Sequence, residues 1–148
     1  MSDGSGVVGC AACGRRNRVR AVAAGVPHCA GCGNPLPWIA DATANDFMEV
    51  AERSPLPVLV DFWAPWCGPC RVVSPAVERI AQRFAGLLKV VKVNTDSSPE
   101  LGARFGVYGI PTLVLLRSGR ELDRVTGARP EEALQEWVQA KLPLAESA

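Results

Sequence analysis

The stretch Asp61-Phe62-Trp63-Ala64-Pro65-Trp66-Cys67-Gly68-Pro69-Cys70 decides how this chain is interpreted. It continues an apolar, strand-like run at residues 58–60 and opens a helix-like run after Cys70. Two thiols separated by two residues at a strand-to-helix turn can close a small disulfide ring. Unpaired backbone N–H groups at a helix N-terminus favour thiolate over thiol, and the thiolate is the nucleophile of disulfide exchange. The stretch therefore predicts an active site for dithiol–disulfide chemistry.

The two thiols of this stretch are predicted to have different roles. Cys67 precedes the helix and is expected to be exposed, which makes it the attacking thiol. Cys70 lies one turn into the helix, on a side that the protein is expected to cover, and would break the mixed disulfide with the substrate. Gly68 and Pro69 contribute little charge. Pro69 keeps the ring rigid, because it fixes the backbone at a helix position where its missing N–H costs nothing.

Two charged residues stand out in otherwise apolar strand patterns. Burial of Asp61 would raise its pKa, which would suit a base that takes the proton of Cys70. The alternative is a carboxylate at a strand end that faces solvent. Lys92, in the run Val90-Val91-Lys92-Val93, is either the counter-charge of Asp61 or an edge-strand lysine that discourages pairing.

The segment Ile110-Pro111-Thr112 lies at the start of another predicted strand. X–Pro bonds tolerate the cis form far better than other peptide bonds, although the trans form is the more common one. A cis-proline loop beside a disulfide would expose backbone groups to a docking peptide in an extended conformation.

Composition limits the kind of protein that this chain can be. The chain has 148 residues, of which 48% are hydrophobic, enough for one full-sized core and a small second unit. A formal net charge of +1 gives no sign of a polyanion partner. No apolar run is long enough to span a membrane, and residues 1–6 do not have the pattern of a secretory signal, so a cytoplasmic location is expected.

Strand-like and helix-like runs alternate from Trp38 onward. Strands are expected at residues 38–40, 56–63, 87–94, 112–116 and 121–126. Helices are expected at residues 45–53, 67–84, 98–105 and 130–142. Pro75 should kink the second helix, and its buried face should contain Val73, Val77, Ile80 and Phe84. Ser118-Gly119 indicates a hairpin turn. This order predicts an α/β fold with a mixed sheet.

The composition changes near Pro35-Leu36-Pro37, which divides the chain into segments 1–36 and 37–148. The first segment has too few apolar residues for its own core, so a metal is predicted to hold it together. Its two Cys-x-x-Cys pairs are fifteen residues apart, the spacing of a zinc ribbon, and the predicted ligands are Cys10, Cys13, Cys29 and Cys32. Gly14 and Gly33 suit the tight turns after each pair.

Four soft thiolates favour Zn²⁺ over harder ions and close the site, so His28 is expected to be a neighbour and not a ligand. Two structural disulfides or an iron–sulfur centre are the alternatives. The segment also carries four arginines, but no aromatic residue lies among them to stack on bases. This composition argues against nucleic-acid binding.

Residues from about 38 to 142 resemble thioredoxin in motifs that keep the family's order and spacing. These motifs are the stretch 61–70, Pro75, Lys92-Val93-Asn94-Thr95-Asp96, Gly109-Ile110-Pro111-Thr112 and Gly127-Ala128. The upstream cysteine pairs and Cys13-Gly14-Arg15-Arg16-Asn17-Arg18-Val19 resemble the zinc-containing second type of bacterial thioredoxin. The resemblance implies a thioredoxin fold, a central mixed sheet flanked by helices, preceded by a small zinc-ribbon module.

The resemblance also implies a role for each matching residue. Cys67 would be the nucleophile and Cys70 the resolving cysteine, with Asp61 as the buried acid and Lys92 as its partner. Pro111 would be a cis-proline. The implied substrate surface consists of Trp66, Gly68, Pro69, Ile110, Pro111 and Gly127.

These observations favour a monomeric protein-disulfide reductase with one structural Zn²⁺ ion and disulfide-containing client proteins. The resemblance implies that an NADPH-dependent thioredoxin reductase recharges it. One alternative is a zinc-dependent redox sensor or chaperone in which oxidation releases zinc. Another is an adaptor whose ribbon docks a protein partner.

Overall fold

A computed structural model describes residues 6–147, with side chains through Pro143. Residues 1–5 and residue 148, which the expected segments 1–36 and 37–148 include, lie outside the described residues. Between residues 6 and 147 the strands are β1 (Gly6–Gly9), β2 (Arg16–Val19), β3 (Ile39–Asp41), β4 (Val58–Trp63), β5 (Lys89–Asn94), β6 (Thr112–Arg117) and β7 (Arg120–Thr126).

The central sheet has five strands in the order β3-β5-β4-β6-β7. Strands β3, β5 and β4 run parallel, whereas β4 pairs antiparallel with β6 and β6 with β7. Ser118 and Gly119 connect the last two strands with positive φ angles of 52° and 80°. The predicted mixed sheet and its closing hairpin are therefore confirmed.

Helices cover both faces of this sheet. They are a π-helical turn (Met48–Glu52), α1 (Gly68–Arg83), α2 (Pro99–Arg104) and α3 (Glu131–Ser147). Ile80 of α1 and Val138 of α3 pack on one face, whereas Val50 of the π-helical turn and Leu101 of α2 pack on the other. The predicted apolar face of α1 is buried at Val73, Val77, Ile80 and Phe84. The helix continues through Pro75, where a kink stays a prediction.

The helix expected at residues 45–53 is wrong in extent, because its regular part is limited to the turn Met48–Glu52. The backbone N–H of Thr43 donates a hydrogen bond to the Asp46 carboxylate (2.7 Å), and this local turn replaces the first part of the expected helix. The edge-strand alternative for Lys92 is also wrong, since β5 lies between β3 and β4. Helix α3, in turn, continues past its predicted end at residue 142 to Ser147.

Strands β1 and β2 form a separate antiparallel pair near the N-terminus. Sequence reasoning did not predict them, because four-residue strands with few apolar residues leave little periodicity. Cys10 and Cys29 pack beside this pair in a small cluster with Leu36 and Trp38. The indole Nε1 of Trp38 donates to the carbonyl of Arg20 (2.9 Å). Trp38 therefore belongs to the packing of the N-terminal segment as well as to the strand region that follows.

Lys89, the first residue of β5, links the N-terminal segment to the central sheet. The residue is 1% exposed, and its Nζ donates to the carbonyls of Ala21 and Val50. The same Nζ lies 4.1 Å from the ring centroid of Trp38. Burial lowers the pKa of Lys89 to about 8. Sequence reasoning missed this residue, since lysines are seldom fully buried.

Replacing Lys89 with methionine is expected to lower the free energy of unfolding by about 2 kcal/mol, because two carbonyl oxygens lose a donor. Urea unfolding at neutral pH measures this change. Lys141→Met is the matched control, since the Lys141 side chain is 33% exposed and its ion pair with Asp123 is worth under about 1 kcal/mol. Equal stabilities of the wild type and Lys89→Met would contradict the link.

Candidate active site and candidate metal centre

Cys67 and Cys70 lie at the N-terminus of α1 and are joined by a disulfide bond. Cys67 is the N-cap residue, and its Sγ accepts a hydrogen bond from the backbone N–H of Cys70 (3.2 Å). Pro69 lies in the first turn, as the sequence predicts. A thiolate on Cys67 would therefore be stabilised by a backbone donor and by the positive end of the helix dipole.

Cys67 is buried, so the expectation that it is exposed is wrong. It is 3% exposed, close to the 5% of Cys70. Its Sγ lies 3.8 Å from the carbonyl oxygen of Ile110, so the loop before β6 covers the sulfur. This loop contains the cis peptide bond between Ile110 and Pro111 that the resemblance to thioredoxin implies.

A groove of about 710 Å³ lies against Cys67. Trp66 lines it, is 69% exposed, and donates from its Nε1 to the Asp96 carboxylate (3.1 Å). Of the expected substrate-surface residues, Trp66, Gly68, Pro69 and Ile110 line the groove. Pro111 and Gly127 do not line it, and the N–H of Gly127 donates to the Pro111 carbonyl (2.8 Å).

Sequence reasoning missed the other side of the groove. It is lined by Thr95, Pro99, Gly102, Ala103, Val107, Tyr108 and Gly109. Tyr108 is 99% exposed and is the one tyrosine of the chain. Its position directly before the Gly109-Ile110-Pro111 motif is the signal that could have identified it.

Asp61 is buried, as the apolar strand pattern predicts. It is 2% exposed, and its Oδ1 has no hydrogen-bond partner among the described residues. Burial raises the pKa of Asp61 to about 6, and the charge of Lys92 opposes this rise. Asp61 and Cys70 both line a cavity of about 110 Å³, which has room for a water molecule.

Lys92 is the register partner of Asp61 on the neighbouring strand β5 and lines the same cavity. Its Nζ donates to the hydroxyl of Ser74 (3.1 Å) and lies 5.6 Å from the ring centroid of Trp63. Ser74 was not identified from the sequence. The signal was its spacing, since a residue four positions after Cys70 lies on the same face of α1.

The four N-terminal cysteines converge on one point. Their Sγ atoms all lie within 4.8 Å of one another. The distance from Cys10 Sγ to Cys32 Sγ is 3.6 Å, and that from Cys13 Sγ to Cys29 Sγ is also 3.6 Å. Thiolates that bind a tetrahedral Zn²⁺ at about 2.3 Å lie about 3.8 Å from one another, so the sulfurs fit this geometry. The cluster could therefore hold a metal ion.

The two Cys-x-x-Cys turns share one backbone pattern. Cys10 donates its N–H to the carbonyl of Arg15 (2.9 Å), and Cys29 donates to that of Asn34 (2.8 Å). The glycines that the sequence places after each pair adopt φ angles of 78° at Gly14 and 79° at Gly33. Two equivalent turns thus direct four sulfurs toward each other.

Polar hydrogens surround the sulfur of Cys29. The backbone N–H of Gly31 (3.4 Å) and the side-chain amide of Asn17 (3.5 Å) both donate to it. Backbone N–H groups, that of Cys32 foremost, lower the pKa of Cys29 to about 6. His28 does not belong to the cluster, and its Nδ1 donates to the Val26 carbonyl (2.7 Å).

A dithiol at a helix N-terminus, with a buried carboxylate beside it, is suited to thiol–disulfide exchange. The fold and this site define a protein thiol–disulfide oxidoreductase. The sequence model of the thioredoxin family matches residues 38–140, and the chain belongs to that family. Its activity is that of a thioredoxin-type disulfide reductase, and thioredoxins act on disulfide-containing substrates.

Individual relatives agree with this membership. The chain is 47% identical over 103 residues to thioredoxin 1 of Nostoc sp. strain PCC 7120, and the aligned region covers 70% of this chain and 96% of that protein. It is 51% identical over 96 residues to thioredoxin 1 of Synechococcus elongatus, 65% of this chain and 87% of the relative. It is 43% identical over 98 residues to the chloroplastic M-type thioredoxin of Chlamydomonas reinhardtii, 66% and 70% of the two chains.

The family match begins after the four-cysteine cluster, so it carries no statement about metal binding. Among residues 6–147, no helix combines the length and the apolar character that crossing a membrane requires.

Proposed function

We propose that Cys67 is the nucleophile of this reductase and that Cys70 resolves the intermediate. In the reduced protein, the Cys67 thiolate attacks a substrate disulfide. A Cys67–substrate S–S bond forms, and one substrate sulfur leaves as a thiolate. The Cys70 thiolate then attacks Cys67 Sγ, the Cys67–Cys70 bond forms, and the second substrate sulfur leaves. The substrate gains two electrons and the protein ends in its disulfide form.

Asp61 is the proposed base of the second step. Its carboxylate takes the proton of Cys70, either directly or through a water molecule in the cavity that both residues line. A carboxyl group with a pKa near 6 is partly protonated and still a competent base near neutral pH. Lys92 is the proposed electrostatic partner that keeps the carboxylate ionisable in its buried position.

The proposed substrate surface surrounds the sulfur of Cys67 and consists of Trp66, Gly68, Pro69, Ile110, Pro111 and Gly127. Four of these residues line the groove against Cys67, which supports their assignment directly. For Pro111 and Gly127 the support is indirect, since their hydrogen bond holds the loop that carries Ile110. An extended peptide beside the disulfide fits this groove.

The observation that carries the proposed order of attack is the position of Cys67 at the N-cap, with the N–H of Cys70 donating to its sulfur. Cys67 also lines the substrate groove, whereas Cys70 lines the inner cavity with Asp61. Separate replacement of the two cysteines by serine tests the proposal, because the two variants should fail at different steps.

We also propose that residues 1–36 form a zinc-binding ribbon and residues 37–148 the thioredoxin domain. Cys10, Cys13, Cys29 and Cys32 would hold one structural Zn²⁺, which would tie the two turns together. The sulfur spacing and the N–H donors around Cys29 support a thiolate-rich site. The start of the family match at residue 38 supports the boundary. On this proposal the chain is a zinc-containing thioredoxin of the second bacterial type.

Purified protein is expected to contain about one zinc ion per chain, and Cys13→Ser is expected to lose nearly all of it, because a structural site needs four ligands. Elemental analysis after gel filtration measures the metal. Ala12→Ser is the matched control, since it changes an exposed residue of the same turn without removing a ligand. A metal-free wild type, or iron in place of zinc, would contradict the assignment.

An NADPH-dependent thioredoxin reductase is the proposed electron donor of this reductase. We further propose that the protein is located in the cytoplasm and is a monomer. The proposal that oxidation releases zinc and creates a sensor or chaperone is not favoured, since the similar proteins are thioredoxins.

A further inference from the structure

Ser74 of α1 lines the cavity between the redox pair and the central sheet, together with Asp61, Cys70 and Lys92. Asp61 and Lys92 are directly opposite each other on β4 and β5. Side chains of opposite charge in such register are close enough in the sheet to form a contact ion pair, and their attraction would offset part of the cost of burying them. No ion pair within 4.0 Å joins them in the described part of the chain.

The two side chains differ in their hydrogen bonds at the cavity. Lys92 Nζ donates to the Ser74 hydroxyl at 3.1 Å, whereas Asp61 Oδ1 is buried and has no partner among the described residues. The ammonium group is thus held by the helix on one side of the cavity. A carboxylate acting as a base must keep an oxygen available for the incoming proton.

We propose that Ser74 is a positioning residue that holds the Lys92 ammonium away from direct contact with Asp61, so that the carboxylate stays free to accept the proton of Cys70. The proposal rests on the proposed role of Asp61 as the base. It does not make Ser74 a catalytic residue, because Ser74 acts through Lys92.

Other charged groups around Asp61 do not provide an alternative explanation. Arg71 lines the cavity from α1, but its guanidinium donates to the Pro65 carbonyl (2.7 Å) and is exposed. On the other side, β6 places the apolar Leu113 opposite Asp61. Cys70 also lines the cavity; it carries no proton in the disulfide form, and in the reduced protein it is the proton donor of the proposed step. Lys92 is therefore the cation whose position affects the Asp61 carboxylate.

The test is a titration of Asp61 by carboxyl-carbon NMR in the oxidised protein, combined with a double-mutant cycle. Ser74→Ala should lower the Asp61 pKa by about one unit, because the released ammonium moves into contact with the carboxylate. Ser74→Thr keeps the hydroxyl and should leave the pKa unchanged. In a Lys92→Met background, Ser74→Ala should have no effect.

Ser74→Ala should still fold, since alanine is the better helix former, and far-UV circular dichroism checks this. An unchanged or raised Asp61 pKa in Ser74→Ala would overturn the proposal. So would an equal shift with and without Lys92, because Ser74 would then act on Asp61 by another route.

The acid limb of the pH profile for resolution of the mixed disulfide should move to lower pH by the same amount as the Asp61 pKa. An unshifted acid limb despite a lowered pKa would overturn the link to proton transfer. If Asp61→Asn resolves the mixed disulfide at the wild-type rate, the base assignment fails, whereas the titration still decides whether Ser74 holds Lys92.

Discussion

Replacing Cys67 with serine is expected to reduce disulfide reductase turnover to the uncatalysed background. A serine hydroxyl is not ionised at neutral pH and cannot form a disulfide with the substrate, so neither the first nor the second exchange step can take place. Reduction of insulin disulfides, with dithiothreitol as the electron donor, measures the turnover. Cys70→Ser should turn over more slowly than the wild type, because it retains the nucleophile but each mixed disulfide must be released by dithiothreitol instead of by Cys70.

Cys13→Ser is an informative control for this experiment. It also removes one thiol, but from the N-terminal cluster and not from the redox pair. Its insulin reduction should stay well above that of Cys67→Ser. Turnover of Cys67→Ser near the wild-type level would contradict the assignment of the nucleophile.

Replacing Asp61 with asparagine is expected to stabilise the oxidised protein at pH 7 while slowing its catalysis. The pKa of Asp61 is raised from 3.8 to about 6 in the folded protein. The folded state therefore binds the proton of Asp61 more tightly than the unfolded state does. The contribution of Asp61 to the free energy of unfolding is largest below pH 3.8, and it falls as the pH rises toward 6. A difference of about two pKa units corresponds to about 3 kcal/mol of stability that the wild type loses when Asp61 ionises. Asparagine does not ionise, so Asp61→Asn avoids this loss.

Urea unfolding of the wild type and Asp61→Asn at pH 7 and at pH 3.5 measures this effect. The two proteins should differ by about 3 kcal/mol at pH 7 and by little at pH 3.5. Glu136→Gln is the control, because Glu136 is exposed on α3 and its replacement should change stability by under about 0.5 kcal/mol. A lower stability of Asp61→Asn at pH 7, or a difference that is independent of pH, would contradict the account.

Local patterns in the sequence predicted most of the fold. Alternating strand-like and helix-like runs are strong signals in residues 38–142, and the strands, the helices and the closing hairpin lie where these signals place them within a few residues. The helix expected at residues 45–53 is shorter than predicted, because a side-chain turn at Asp46 replaces its first part. Such a turn depends on one hydrogen bond and leaves no periodic trace.

Interactions between distant residues could not be predicted in the same way. The Nζ of Lys89 donates to the carbonyl of Ala21, 68 positions earlier in the chain, and no local sequence pattern predicts that contact. The hydrogen bond between Lys92 and Ser74 likewise joins a strand to a helix, and it becomes visible only once the sheet register is known. The same holds for the burial of Cys67, which depends on the loop at Ile110.

One spacing serves two different geometries in this chain. Three Cys-x-x-Cys pairs occur in the sequence. At Cys67 and Cys70 the pair opens a helix and is closed as a disulfide. At the two N-terminal pairs, each first cysteine begins a tight turn that ends at a glycine with positive φ, and the four sulfurs face each other. The residues around each pair, and not the spacing alone, therefore determine the chemistry that each pair can carry out.

Trapping of an intermediate by Cys70→Ser tests the assignment of Cys67 as the nucleophile. After reduction, this variant is mixed with an excess of a disulfide-containing peptide, and the product is digested without reductant and analysed by mass spectrometry. We expect one peptide per chain, attached through a disulfide to Cys67 and released by dithiothreitol. Attachment at one of the four N-terminal cysteines, or the absence of a stable mixed disulfide together with full turnover, would contradict it.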